Sequence, residues 1–159
     1  YFGIPYSNDM GTQQRQPKKN PPLPLMQDEV VIEAPADQNT LTERYTREAV
    51  KFIDTYGGDG PFAMMVGFPG PHCPYDPAHD LPYNYKPEDM PDPIPEIETD
   101  TPLLRQGNIE GNKRPWNGVD YTDFNLSHKK KIRAHYASLV KGIDHEVGEI
   151  VTALRKMNS

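Results

Sequence analysis

The stretch Pro61-Phe62-Ala63-Met64-Met65-Val66-Gly67-Phe68-Pro69-Gly70-Pro71-His72-Cys73-Pro74-Tyr75-Asp76-Pro77 decides how this chain is to be read. From Phe62 to Phe68 apolar residues follow one another without alternation. That pattern predicts a core strand over 62–68, covered on both faces as in the parallel sheet of an α/β protein. Pro69, Gly70 and Pro71 end the run, because proline has no N–H to give a ladder. His72 follows at once. A polar side chain just past the carboxyl end of a buried strand lies where open α/β sheets place their ligands.

The flanks of this stretch are helical. Leu41, Tyr45, Ala49, Phe52, Ile53 and Tyr56 recur at helical spacing, and Gly57-Gly58 supplies a stop, so a helix is expected over 41–56. Thr40 and Glu43 have the spacing of a capping box. A second helix is expected over 127–157, with Ser127 as its N-cap. Its apolar stripe runs through Ile132, Tyr136, Leu139, Val140, Ile143, Val147, Ile150, Val151, Leu154 and Met157. Between them most of the 18 prolines fall at 69–126, which reads as a long irregular excursion. Trp116, with Arg114, Asn117 and Tyr121, either lines a cleft there or anchors the loop to the body. At the start, 1–11 is rich in turn formers and reads as a loop. Val30-Val31-Ile32 reads as a short edge strand or one arm of a hairpin. The fold class is α/β, but with one core strand the sheet is incomplete. The 159 residues are therefore expected to be a slice of a larger protein.

Composition narrows the functions. The net charge of -6 offers no basic footprint for nucleic acid, and Lys129-Lys130-Lys131 reads as a solvated helix end. No apolar run reaches the length of a membrane span. One cysteine, Cys73, excludes an internal disulfide framework and leaves the compartment open.

His72, held between Pro71 and Pro74, has a rigid backbone that suits either a residue aimed at a substrate or an ordinary loop histidine. His72, Asp76 and His79 have metal-ligand chemistry but match no strong spacing. Nothing nearby in sequence activates Cys73 as a thiol nucleophile. Asp144 follows Ile143 and is expected to be partly buried. His128, His135 and His145 read as surface residues. No phosphate loop, dinucleotide fingerprint or paired-cysteine zinc motif is present.

Taken in order, four stretches resemble the middle of the sulfatase family, within the alkaline-phosphatase-like superfamily. They are Phe2 to Gly11; Leu23-Pro24-Leu25-Met26 with Val31-Ile32-Glu33 and Leu41 to Thr46; Gly67 to Pro77; and His135-Tyr136-Ala137-Ser138 with Ile143 to Gly148. The resemblance implies a partial alkaline-phosphatase-like sandwich, with residues 1–159 an internal segment of one catalytic domain. It implies that His72, in the Pro71-His72-Cys73-Pro74 turn, contacts the sulfate and acts in catalysis, since imidazole can donate to an anionic ester and serve as a general acid. The nucleophile of such enzymes is a formylglycine made from Cys or Ser in a C/S-x-P-x-R motif. Cys73 is not in that motif, because Pro74-Tyr75-Asp76-Pro77 carries no Arg. Calcium and formylglycine would thus belong to the parent enzyme, with no ligand identifiable in this chain. The implied partner is a sulfated small molecule or glycan, in a periplasmic, secreted or lysosome-like compartment. A phosphatase or phosphonate hydrolase of the same superfamily, or a noncatalytic scaffold that binds sulfated glycans, would share the same features.

Overall fold

The computed structural model describes residues 1–4, 23–37, 40–58, 60–72, 75, 77, 81, 84–93, 102–107 and 123–157. Its sheet is a three-stranded antiparallel ribbon of β1 (Phe2–Gly3), β2 (Leu25–Gln27) and β3 (Val30–Glu33), in that spatial order. β2 and β3 form the expected hairpin, with Gln27 opposite Val30. Asp28 turns the corner at φ 53, in the left-handed region that aspartate tolerates. The start of the chain differs from the expected loop. Phe2 and Gly3 pair with Gln27 and Met26. The Tyr1 carbonyl accepts the Asp28 N–H at 2.7 Å, and the N-terminal amine meets the Asp28 carboxylate at 2.9 Å. An open edge of β2 outweighs the turn-forming residues nearby. Gly3, at φ 155, is tight for a side chain: a Cβ would stand 3.3 Å from both the Tyr1 and the Tyr45 hydroxyl, so these rings would have to shift.

Helix α1 (Leu41–Thr55) covers this ribbon. Leu25 and Leu41 are fully buried and form a core with Ile4 and Ala36, against which Phe2, Leu23 and Tyr45 pack. The Phe2 and Tyr45 rings meet edge to face at 5.9 Å. The Tyr45 hydroxyl accepts the Ile4 N–H at 3.0 Å, and burial pushes its pKa upward. The capping box does not form. Thr40 has near-helical backbone angles, φ -106 and ψ -1, rather than the extended geometry of an N-cap, and its hydroxyl donates to the Asp37 carbonyl instead. Glu43 turns to Arg47 at 2.9 Å. The helix stops where expected, with Tyr56 extended before Gly57.

The predicted core strand over 62–68 is not a strand in this structure. A strand needs backbone partners on at least one side, and none of the described residues runs beside it. Met65 is 95% exposed, so the two-sided cover that the sequence pattern implies is absent among the described residues. The segment is instead tied at its start. Phe62 packs on Phe52 and Tyr56, with ring centroids 5.2 and 4.9 Å away.

Helix α2 (Leu126–Met157) is the longest element and packs against α1. Its 32 residues extend about 48 Å at 1.5 Å per residue. It starts one residue earlier than expected, because Asn125 rather than Ser127 caps it. Asn125 Oδ1 accepts the His128 N–H at 3.0 Å, and His128 Nδ1 accepts the Asn125 N–H at 3.3 Å. The pair is a capping box with histidine in the place of glutamate. Buried positions on α2 are small: Ala134, Ser138 and Ala153. The excursion over 69–126 is mostly irregular as expected where it is described, with a 3-10 turn at Pro87–Asp89 and a short helical stretch at 103–107 before α2 begins at Leu126.

Glu33 fastens the hairpin to α1. Its Oε1 accepts the Asp37 N–H at 2.8 Å and its Oε2 meets Arg44 at 2.6 Å. The Asp37 amide first, and the Arg44 guanidinium second, hold the Glu33 carboxyl below the ordinary glutamate range. A carboxyl lowered by folding stabilises the fold above the pH at which free glutamate protonates, and this is lost as pH falls through the lowered value. The Glu33→Gln variant is therefore expected to have a lower urea midpoint than the parent near neutral pH, with the gap closing in acid. A gap that does not change with pH would mean that the charge of Glu33 contributes nothing.

Candidate functional site

The site grows from the way α2 receives the proline-rich segment. Proline removes donors from this stretch, so its carbonyls and remaining amides need partners from elsewhere. At Pro69 the chain turns sharply: the His72 N–H donates to the Pro69 carbonyl at 3.3 Å, and the Gly70–Pro71 peptide is cis. Gly70 lies against α2, where a Cβ would stand 3.4 Å from Ile143 Cδ1 and 3.8 Å from Leu139 Cδ2. His72 is exposed at the end of this turn.

Farther along, α2 holds the segment with polar side chains. His135 Nδ1 is 2.7 Å from the Tyr75 carbonyl and donates to it. The Tyr75 and Tyr136 rings meet edge to face at 5.8 Å. Ser138 is 2% exposed; its hydroxyl donates to the Ala134 carbonyl at 2.8 Å and accepts the Tyr85 N–H at 2.9 Å. Arg133 donates to the Pro91 carbonyl at 2.7 Å, and Lys130 pairs with Asp92 at 2.9 Å.

Sequence reasoning missed His135 and Ser138 as anchors and placed His135 on the surface. The available signal was two hydrogen-bonding side chains, three residues apart, on a stripe with Ala134 and Leu139, next to a segment short of donors. Asp144 is corrected in the other direction. Its side chain is 75% exposed and 3.6 Å from Lys141. One residue past Ile143 is about 100° around the helix, which carries Asp144 off the packed face. His128 serves as a cap, and His145 is exposed as expected.

An open groove of ≈ 440 Å³ runs beside α2, lined by Tyr85, Tyr136, Ala137, Val140, Lys141 and Asp144. His72 does not line it. Cys73, Asp76, His79 and the Trp116 group with Arg114, Asn117 and Tyr121 lie outside the described residues. Calcium finds no fit among the described residues, since no group of three or more His, Cys, Asp or Glu side chains converges there. Formylglycine finds none either, because Cys73 lacks the sequence around it that such a residue requires. Among the described residues, no helix is long and apolar enough to cross a membrane.

The structure shows a small α/β unit whose long helix lies beside a Pro-Gly-Pro-His turn, and comparison with known proteins gives its family. The family model for Sulfatase matches residues 1–159, and the chain belongs to the sulfatase family. Arylsulfatase G of Rattus norvegicus is 32% identical across 46% of this chain and 19% of its own length. The Mus musculus protein of that name gives the same figures, and the Homo sapiens one is 29% identical over the same shares. The chain thus spans about a fifth of the curated relatives it matches. No solved structure matches significantly.

Ser138 is the most buried of the anchors. Replacing it with alanine leaves the Tyr85 N–H without its acceptor. The Ser138→Ala variant is expected to lose about 1–3 kcal/mol of stability, measured by chemical denaturation. An unchanged midpoint would show that the Tyr85 amide finds another partner at no cost.

Proposed function

We propose that the chain is an internal segment of the catalytic domain of a sulfuric ester hydrolase, with His72 as its contribution to the sulfate pocket. The observation that carries this reading is the Pro69–His72 turn seated on α2, which presents His72 outward from a fixed base. Membership of the sulfatase family and likeness to the arylsulfatase G proteins support the reaction class.

In this reading the imidazole donates a hydrogen bond to a sulfate oxygen. As the bond from sulfur to the ester oxygen breaks, the departing alcohol oxygen takes a proton from the protonated ring, which is left neutral and regains a proton from solvent before the next turnover. The nucleophile and any calcium come from the rest of the parent enzyme. So do the strands that flank residues 62–68, completing an alkaline-phosphatase-like sandwich. The absence of a strand partner for residues 62–68 among the described residues, and an exposed Met65, support this placement of the segment within a larger sheet. The substrate is a sulfated small molecule or glycan.

The test is the complete enzyme that contains this chain, assayed on an aryl sulfate and on the matching aryl phosphate. Hydrolysis of the sulfate is expected to exceed that of the phosphate. The His72→Ala variant is expected to lower kcat on the sulfate by about 10²-fold or more, the scale of general acid catalysis. An unchanged rate would remove His72 from the site, and a preference for the phosphate would move the enzyme to the phosphatase side of the superfamily.

A further inference from the structure

His72 is bracketed in sequence by two attachments to one face of α2. Before it, Gly70 faces Leu139 and Ile143, whose methyl groups a Cβ at this position would touch. After it, the Tyr75 carbonyl is held by His135, and the Tyr75 ring packs on Tyr136. His135, Leu139 and Ile143 are spaced four residues apart, so they stack on a single helical face. Gly70 and Tyr75, described residues on either side of His72, thus both face one helix.

Of the two, the approach at Gly70 is apolar and leaves only the room of a missing side chain, so it resists sliding only weakly. The one at Tyr75 is directional. A carbonyl can only accept, so His135 Nδ1 must carry a proton here. At 2.7 Å the bond is short for an N–H donor and sets the height of the chain three residues past His72.

We infer that His135 is a positioning residue for His72: its Nδ1–H bond to the Tyr75 carbonyl, with Tyr136 on the Tyr75 ring, sets where the imidazole of His72 stands. This rests on the reading of His72 as the sulfate contact. His135 acts only through His72 and does not touch the ester. A reacting group displaced by about 1 Å can lose about 10²-fold in rate, so a lost anchor has room to show.

The complete enzyme is assayed on 4-nitrophenyl sulfate as His135→Leu, His135→Asn, His72→Ala and the double variant His72→Ala/His135→Leu, with thermal unfolding of each. Asparagine can place an N–H near the position of Nδ1, and leucine cannot. His135→Leu is expected to lower kcat by about tenfold or more with KM changed less than about threefold, and His135→Asn to recover most of the loss. In the His72→Ala background, His135→Leu is expected to add nothing, because the group it positions is gone. A kcat for His135→Leu within about twofold of the parent would overturn the inference, as would a loss that multiplies in full onto that of His72→Ala. Should His135→Leu not fold, His135→Asn still decides: tenfold loss with the donor kept overturns it, and near-parent kcat supports it. A silent His72→Ala would instead remove the sulfate contact itself, and the positioning role with it.

Discussion

A chain rich in proline cannot close all of its backbone hydrogen bonds on itself, and this structure meets part of that constraint with one long helix. Segment 69–93 forms no ladder among the described residues. Its carbonyls at Tyr75 and Pro91 and its amide at Tyr85 are instead met by His135, Arg133 and Ser138. Lys130 adds an ion pair with Asp92, which is exposed and contributes little. These side chains fall on successive turns of α2, so the helix acts as a rail along which the irregular segment is laid.

The remaining architecture is modest. The ribbon β1–β3 and α1 share a compact core around Leu25 and Leu41, fastened by the Glu33 carboxylate and the Tyr45 hydroxyl. Beyond it, much of the apolar surface stays in solvent. Val30, Val31 and Ile32 on β3 are exposed, and so are Leu103 and Leu104. A small unit that leaves so much apolar surface uncovered agrees with a chain that spans about a fifth of its relatives.

Both helices were legible in the sequence, because an apolar stripe of helical period extends over many residues and needs no long-range information. The hairpin was legible through the run Val30 to Ile32 and the polar corner before it. The strand reading of 62–68 failed for the opposite reason. A run of apolar residues states that a segment wants cover, but pairing depends on segments that sequence periodicity does not supply. Local rules misplaced both caps. Thr40 satisfied the capping pattern yet adopted the wrong backbone angles, while Asn125 with His128 formed a box that the usual Ser/Thr-to-Glu pattern does not describe. At the candidate site, His72 stood out because of its prolines. His135 and Ser138 did not, since a histidine or serine within a helix carries no mark of the carbonyl or amide that it will meet.

The exposure of Met65 gives the protein an internal chemical witness. A thioether in open water is oxidised to the sulfoxide far more readily than one enclosed in a packed sheet. Wherever residues 62–68 gain neighbours on both faces, that sulfur would be shielded; wherever they do not, it would be the first of the described methionines to react with dilute peroxide. The oxidation state of a single atom thus records whether the apolar ribbon before His72 has found its place in a larger assembly.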